Sequence, residues 1–173
     1  MKKIFLTMAL VVSLFSNEYI VNKEYSSIKF EACKMLFIGV NGEFSEFSGI
    51  IKVDKHNKLS QIEGIVSIDS INSEDEKRDN HLKADDYFNV IEFPSIIFKS
   101  NVITDDIVKA TVSIKGIEKT LSFKVSELIV SNKNVTFKLT SAVNRQEFML
   151  NGSMSAIMAD IVDVTASIVA IRK

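Results

Sequence analysis

From residue 17 onward, apolar residues recur at every second position in segment after segment, a period that a strand with one buried face satisfies and a helix does not. Ile28 and Phe30 alternate with Lys29 and Glu31; Ile62, Gly64, Val66 and Ile68 share one face; Val108, Ala110, Val112 and Ile114 share another. Leu121, Phe123 and Val125 follow, then Val135, Phe137, Leu139 and, two steps further, Val143. Ile161 to Ile171 is β-branched on both faces, as suits a strand covered on both sides or one closing a barrel against an N-terminal strand. Turn sequences punctuate the runs at Asn41-Gly42, Asp54 to Lys58, Thr104-Asp105-Asp106, Lys115-Gly116, Ser131 to Asn134 and Asn151-Gly152. This pattern predicts about eight strands. No repeat or low-complexity linker divides them, so residues 17–173 read as one domain.

An antiparallel sheet of that size hides its edges by closing into a barrel or by folding into a sandwich. Six Gly, one Pro, one Cys and no Trp favour the barrel, because sandwiches lean on Gly and Pro turns and on a Trp or disulfide at their centre. The predicted fold is therefore all-β, an eight-stranded antiparallel barrel, just wide enough to be filled by side chains or to hold one small ligand. Strand alternation turns Phe30, Phe44, Val66, Ile68, Phe98, Val112, Ile114, Phe123, Phe137 and Leu139 toward the lumen, an apolar lining suited to an apolar guest. One segment breaks the period. Ser73-Glu74-Asp75-Glu76 has the form of a capping box and predicts one short helix near residues 74–84, mostly charged, with Leu82 and Ala84 as its apolar side. Pro94 then opens a strand at its first position, where a missing N–H is tolerated.

The first sixteen residues form a different kind of segment. Lys2 and Lys3 precede a predominantly apolar stretch, Ile4 to Phe15, with no acidic residue, which is the pattern of a secretory signal peptide. That stretch falls short of the roughly 20 residues a membrane-spanning helix needs. Residues 1–16 are thus expected to be removed, and the barrel domain to be exported to the periplasm.

Several chemistries are set aside. With 21 Lys and Arg against 22 Asp and Glu and no long basic run, the chain has no electrostatic footprint for nucleic acid. One Cys and two His are too few for a Cys/His zinc site, so no metal and no cofactor is expected. Cys33, without a second cysteine, reads as a buried structural thiol, and His56 as part of a solvated turn. Arg78 and His81 stand three apart on the predicted helix, ahead of the aromatic cluster Tyr87, Phe88 and Phe93. No recognisable nucleophile accompanies them, and an enzyme acting on a lipid through His81 or Tyr87 is the lesser reading. A small outer-membrane barrel would also alternate. Three Tyr and no Trp are too few for two aromatic girdles, and no stable membrane insertion is expected.

Residues 71–100 carry a longer pattern: Arg78-Asp79-x-His81-Leu82, Asp86-x-Phe88, then Phe93-Pro94-x-Ile96-x-Phe98-x-Ser100. It is flanked by Gly42-x-Phe44-x-x-Phe47-x-Gly49, by Ile114-x-Gly116-Ile117-x-Lys119 and by Asn144-Arg145-x-x-Phe148. Together these motifs resemble the YceI-like family of exported, lipocalin-like proteins. The resemblance implies an extended eight-stranded barrel with a helix across it, and a polyisoprenoid, isoprenoid quinone or fatty-chain amphiphile held in the lumen. It places Arg78, Asp79 and His81 near the helix and the mouth, where a buried ion pair bracing the helix would account for them equally. It also implies, by analogy, a homodimer. Relatives often carry a histidine just before the serine that opens the first strand and another near that strand's end. Here those places hold Tyr25, ahead of Ser26, and Lys34, which implies a different ligand head.

Overall fold

A computed structural model of the chain describes residues 17–34, 38–152 and 158–173. The signal-peptide prediction for residues 1–16 and the side chain of Cys33 lie outside the described residues. Among the described residues eleven strands run in chain order: β1 (Asn17–Val21), β2 (Ser27–Lys34), β3 (Ile38–Phe44), β4 (Phe47–Val53), β5 (Leu59–Ser67), β6 (Ile71–Asn72), β7 (Ser95–Ile103), β8 (Ile107–Ile114), β9 (Ile117–Val130), β10 (Asn134–Asn144) and β11 (Met158–Arg172). The one α-helix among the described residues, α1 (Glu76–Lys83), lies between β6 and β7.

The strands make eight staves of a closed antiparallel barrel. From β4 the pairing runs through β5, β7, β8, β9 and β10 to β11, whose far edge takes β1 at its C-terminal end and β2 along its N-terminal half; β1 in turn pairs β4. β1 and β2 are thus one stave broken by a 3-10 turn at Lys23–Tyr25, and β3 with β4 is a second, broken at Ser45 and Glu46. Side chains fill in for ladder bonds at the breaks. Asn22 caps the 3-10 turn through the Glu24 N–H at 3.0 Å. The Ser26 hydroxyl donates to the Val169 carbonyl at 3.2 Å and accepts from its N–H at 2.9 Å. The Lys23–Glu46 ion pair at 2.7 Å ties one break to the other.

Beyond the breaks, β2 and β3 carry the wall upward. β3 pairs β2 along its length, but on its other side it meets only β6, at Glu43 and Phe44. Along Ile38 to Gly42 that outer edge has no partner strand among the described residues, so the ladder leaves a slot in the wall.

Three sequence expectations are corrected. The Asn41-Gly42 turn is strand, in the middle of β3. Glycine is needed there because a Cβ on Gly42 would come within 2.3 Å of the Phe30 ring, the close approach that glycine within a strand marks. The cap of α1 is Asp75, whose carboxylate accepts from the Arg78 N–H at 3.1 Å. Ser73 is instead buried, and its hydroxyl bonds Asp79. Glu74, with φ 62°, bends the chain between them and delays the helix to Glu76. Finally, Ile68 does not continue the β5 alternation: the chain enters a 3-10 turn at Ile68–Ser70.

The remaining turns follow the sequence. Lys115 and Gly116 have φ of 51° and 73° and close the β8–β9 hairpin, and Gly116 also leaves room for the ring of Phe93. His56 lies in the exposed turn that Asp54 organises, its N–H donating to the Asp54 carboxylate at 2.8 Å. Pro94 precedes β7 and accepts the Ile68 N–H at 3.0 Å.

Candidate functional site

The interior divides into two halves. At the end carrying the turns at residues 54–58, 104–106 and 131–133, the lumen is filled: Tyr19, Val53, Leu59, Val108, Val135, Phe137 and Ala170 are buried against one another in the core. The Tyr19 hydroxyl, which needs a partner when buried, donates to the Ser131 carbonyl at 2.9 Å. Toward the other end the staves enclose a cavity of about 240 Å³.

Eight of the ten residues assigned to the lumen border this cavity: Phe30, Phe44, Val66, Phe98, Val112, Ile114, Phe123 and Leu139. Two pairs of rings stand on its wall, Phe98 with Phe123 at 5.1 Å and Phe30 with Phe44 at 5.7 Å between centroids. The other two do not border it. Phe137 faces inward as expected, but at 3% exposure it belongs to the packed half. Ile68, at 0%, is buried beneath the connection to α1, since the alternation that pointed it inward ends with β5.

The connection between β5 and β7 supplies the roof, through Ile71, Leu82, Tyr87 and Phe88. Leu82 is the one apolar contact that α1 makes here, as the predominantly charged helix sequence requires. Of the polar trio expected at the mouth, Arg78 borders the cavity, whereas Asp79 and His81 are turned to other partners. Arg78 donates from Nε to the Ser73 hydroxyl at 2.7 Å and from Nη2 to the Ser73 carbonyl. Asp79 accepts from both the hydroxyl and the N–H of Ser73, so the bracing runs from Asp79 through Ser73 to Arg78. His81 Nε2 lies 3.2 Å from the Asp86 carboxylate.

Arg145, which alternation gave no reason to select, also borders the cavity. It follows Asn144, whose side chain caps the 3-10 turn Arg145–Phe148 through the Gln146 N–H at 3.0 Å. At 2% exposure it donates to the carbonyls of Leu150 (2.7 Å), Ala159 (2.9 Å) and Met158 (3.1 Å), and to the Asp160 carboxylate (3.2 Å). It thereby clasps the start of β11 to the segment after β10. Burial pushes the Tyr87 phenol above its usual value, and the nearby Arg145 guanidinium pulls the opposite way. A charge inside a run of family-like motif is the one sequence signal that pointed at Arg145; no periodicity marks a residue that works by bonding carbonyls.

Tyr25 is 71% exposed and does not border the cavity.

Residues 19–170 match the YceI-like domain. The chain belongs to the YceI-like family. Over 135 residues it is 31% identical to the UPF0312 protein SA2479 of Staphylococcus aureus, a stretch covering 73% of this chain and 78% of that protein. Among solved structures, the fold is similar to that of Burkholderia cenocepacia BcnA, with a TM-score of 0.78 at 22% identity, covering 87% of this chain and 99% of the other. A polyisoprenoid binding domain from Saccharophagus degradans superposes with a TM-score of 0.72 at 12% identity, covering 90% and 98%. The YceI-like barrel and its crossing helix are thus present here as the motifs implied.

Proposed function

We propose that this protein is a periplasmic carrier that holds a long apolar chain, of the polyisoprenoid, isoprenoid quinone or fatty-chain class, in the upper half of its barrel. The observation that carries the reading is the cavity itself: a space in the barrel walled by phenylalanine and aliphatic side chains, in a fold shared with a domain named for polyisoprenoid binding. Each methylene moved from water into such a space contributes about 0.8 kcal/mol. Roughly ten buried carbons supply about 8 kcal/mol against ordering costs of several, enough for firm retention with few polar contacts.

The direction of the alternation supports a carrier over a barrel set in lipid. β8 turns Val108, Ala110, Val112 and Ile114 inward and leaves Lys109 exposed, and β9 exposes Glu118, Thr120, Ser122 and Lys124. Outer-membrane barrels have the reverse arrangement, apolar outside and polar within. Among the described residues no helix is long and apolar enough to cross a membrane. Binding rather than catalysis fits the way His81 is held by Asp86 and Arg78 by Ser73, and the carrier needs no cofactor.

The test is mass spectrometry of the organic extract of the protein purified from the periplasm of its own host, together with native mass spectrometry of the intact complex. A stoichiometric isoprenoid or acyl species supports the proposal and names the ligand, and the native spectra read whether copies pair. A protein that is empty and refuses added quinones and fatty amphiphiles overturns it.

A further inference from the structure

The slot beside β3 opens into a second, polar space, bordered by Gly39, Asn41 and Gly42 of β3 and by Asn72, Ser73 and Glu74 opposite. Lys29, Val40 and Arg78 border both this cleft and the apolar cavity, so the two abut through the barrel wall. The charged residues at the junction are both cationic. The carboxylates of Glu43 and Glu74 border only the cleft, and Glu43 faces Lys29 across the β2–β3 ladder. Arg78 is half-buried and fixed in place: Ser73 takes its Nε and one Nη2 bond, and Asp79 holds Ser73. Its Nη1 has no hydrogen-bond partner among the described residues. A guanidinium braced on one side and open on the other, where an apolar space meets a wet one, is arranged to take an oxyanion.

We propose that the slot between β3 and the β6–α1 turn is a head-group site, and that it takes the anionic head, phosphate or carboxylate, of an amphiphile whose tail fills the cavity. The proposal rests on the carrier reading and adds the ligand's polarity and the side of the barrel at which its head emerges. Arg78 supplies the hydrogen-bonding cation, Lys29 adds charge, and Asp79 acts through Ser73 as a positioning residue. The outer edge of β3 along Ile38 to Gly42, which pairs no strand among the described residues, adds backbone groups to the same opening.

Three sixteen-carbon probes test it: hexadecanol, palmitate and hexadecyl phosphate, titrated against the mature protein. The expected result is that at least one of the two anions binds tenfold or more tighter than the alcohol, that the margin narrows in high salt, and that the stronger anion identifies the head. Arg78→Gln should weaken binding of the two anions far more than that of hexadecanol and so abolish the margin, and Arg78→Lys should restore part of it. The chain has no tryptophan, so Asn41→Trp places a lone fluorophore at the cleft. Its emission should respond to whichever of the two anions binds more tightly, whereas that of Ile91→Trp, at a loop position 95% exposed, should not. Equal affinity for all three probes, a margin that survives Arg78→Gln, or a silent Asn41→Trp overturns the head-group site and leaves the carrier reading standing. A wild-type protein that binds none of the three overturns both. Should Arg78→Gln fail to fold, the wild-type margin and the tryptophan pair still decide.

Discussion

The lower and upper halves of this barrel use the same strands and the same alternation, yet one is packed and the other hollow. In β8, Val108 and Ala110 are in the filled half while Val112 and Ile114 border the cavity; in β10, Val135 and Phe137 are filled in and Leu139 and Val143 are not. Side-chain size does not separate the two sets, since the hollow half carries more phenylalanine. The staves differ in how they are held apart. Below, β1 bridges β11 and β4 and the ring is closed by ladder bonds. Above, the breaks at residues 22–26 and 45–46 let β2 and β3 continue past the closed ring, and the gap is roofed by α1 and its flanking loops instead of a strand. The difference teaches that a binding space can come from a change in wall geometry without any change in the hydrophobic pattern.

Substitutions at matched positions in the two halves test that contrast. The largest effect is expected for Phe137→Ala in the packed half, a loss of about 3–5 kcal/mol in denaturant unfolding, because the hole cannot collapse within a closed ring. Arg145→Met should cost about 2–4 kcal/mol by the same measurement, since it leaves the carbonyls of Leu150, Met158 and Ala159 without their donor. A loss below about 1 kcal/mol would show that the start of β11 and the segment after β10 are held together by packing alone.

Phe123→Ala, at the cavity wall, should cost about 2–3 kcal/mol, toward the lower end for its type, because the ring already borders empty space on one side. It should also reduce the thermal stabilisation that a bound amphiphile confers, which Phe137→Ala should leave in proportion. Equal losses of stability and of ligand stabilisation in both variants would erase the distinction between the halves. Gly42→Ala is expected to cost about 1–2 kcal/mol, because the Phe30 ring that the new Cβ displaces must shift toward the cavity. Its signature is weaker amphiphile binding.

The smallest effect is a pH dependence in the lower turns. Backbone N–H groups of Lys58 and His56 hold the Asp54 carboxyl below its usual value. A carboxyl lowered on folding stabilises above its unfolded value of 3.8, and that contribution fades as pH falls through the lower folded value. Asp54→Ala should remove this slope from acid unfolding curves and leave the cavity half unaffected.

Much of this was legible in the sequence, and the misses have physical causes. Strand faces were readable because alternation reports burial directly, as at Val108 to Ile114 and at Phe98 and Phe123. Ile68 and Asn41-Gly42 failed because the local pattern was sound and a tertiary contact overrode it: a 3-10 turn ended the β5 face at Ile68, and the Phe30 ring required glycine within a strand at residue 42. Ser73 looked like a cap, and its hydroxyl was used instead to couple Asp79 to Arg78.

The all-β class, the one short charged helix that interrupts the strands and the apolar character of the lumen were readable from the sequence, because each follows from the period and composition of contiguous residues. Where the lumen is filled and where it is empty, that Arg145 clasps the segments around β11, and that Lys29 and Arg78 meet at a slot beside β3 were decided only by the tertiary structure. Those features depend on how staves far apart in the chain are spaced, and no pattern local to the sequence encodes that spacing.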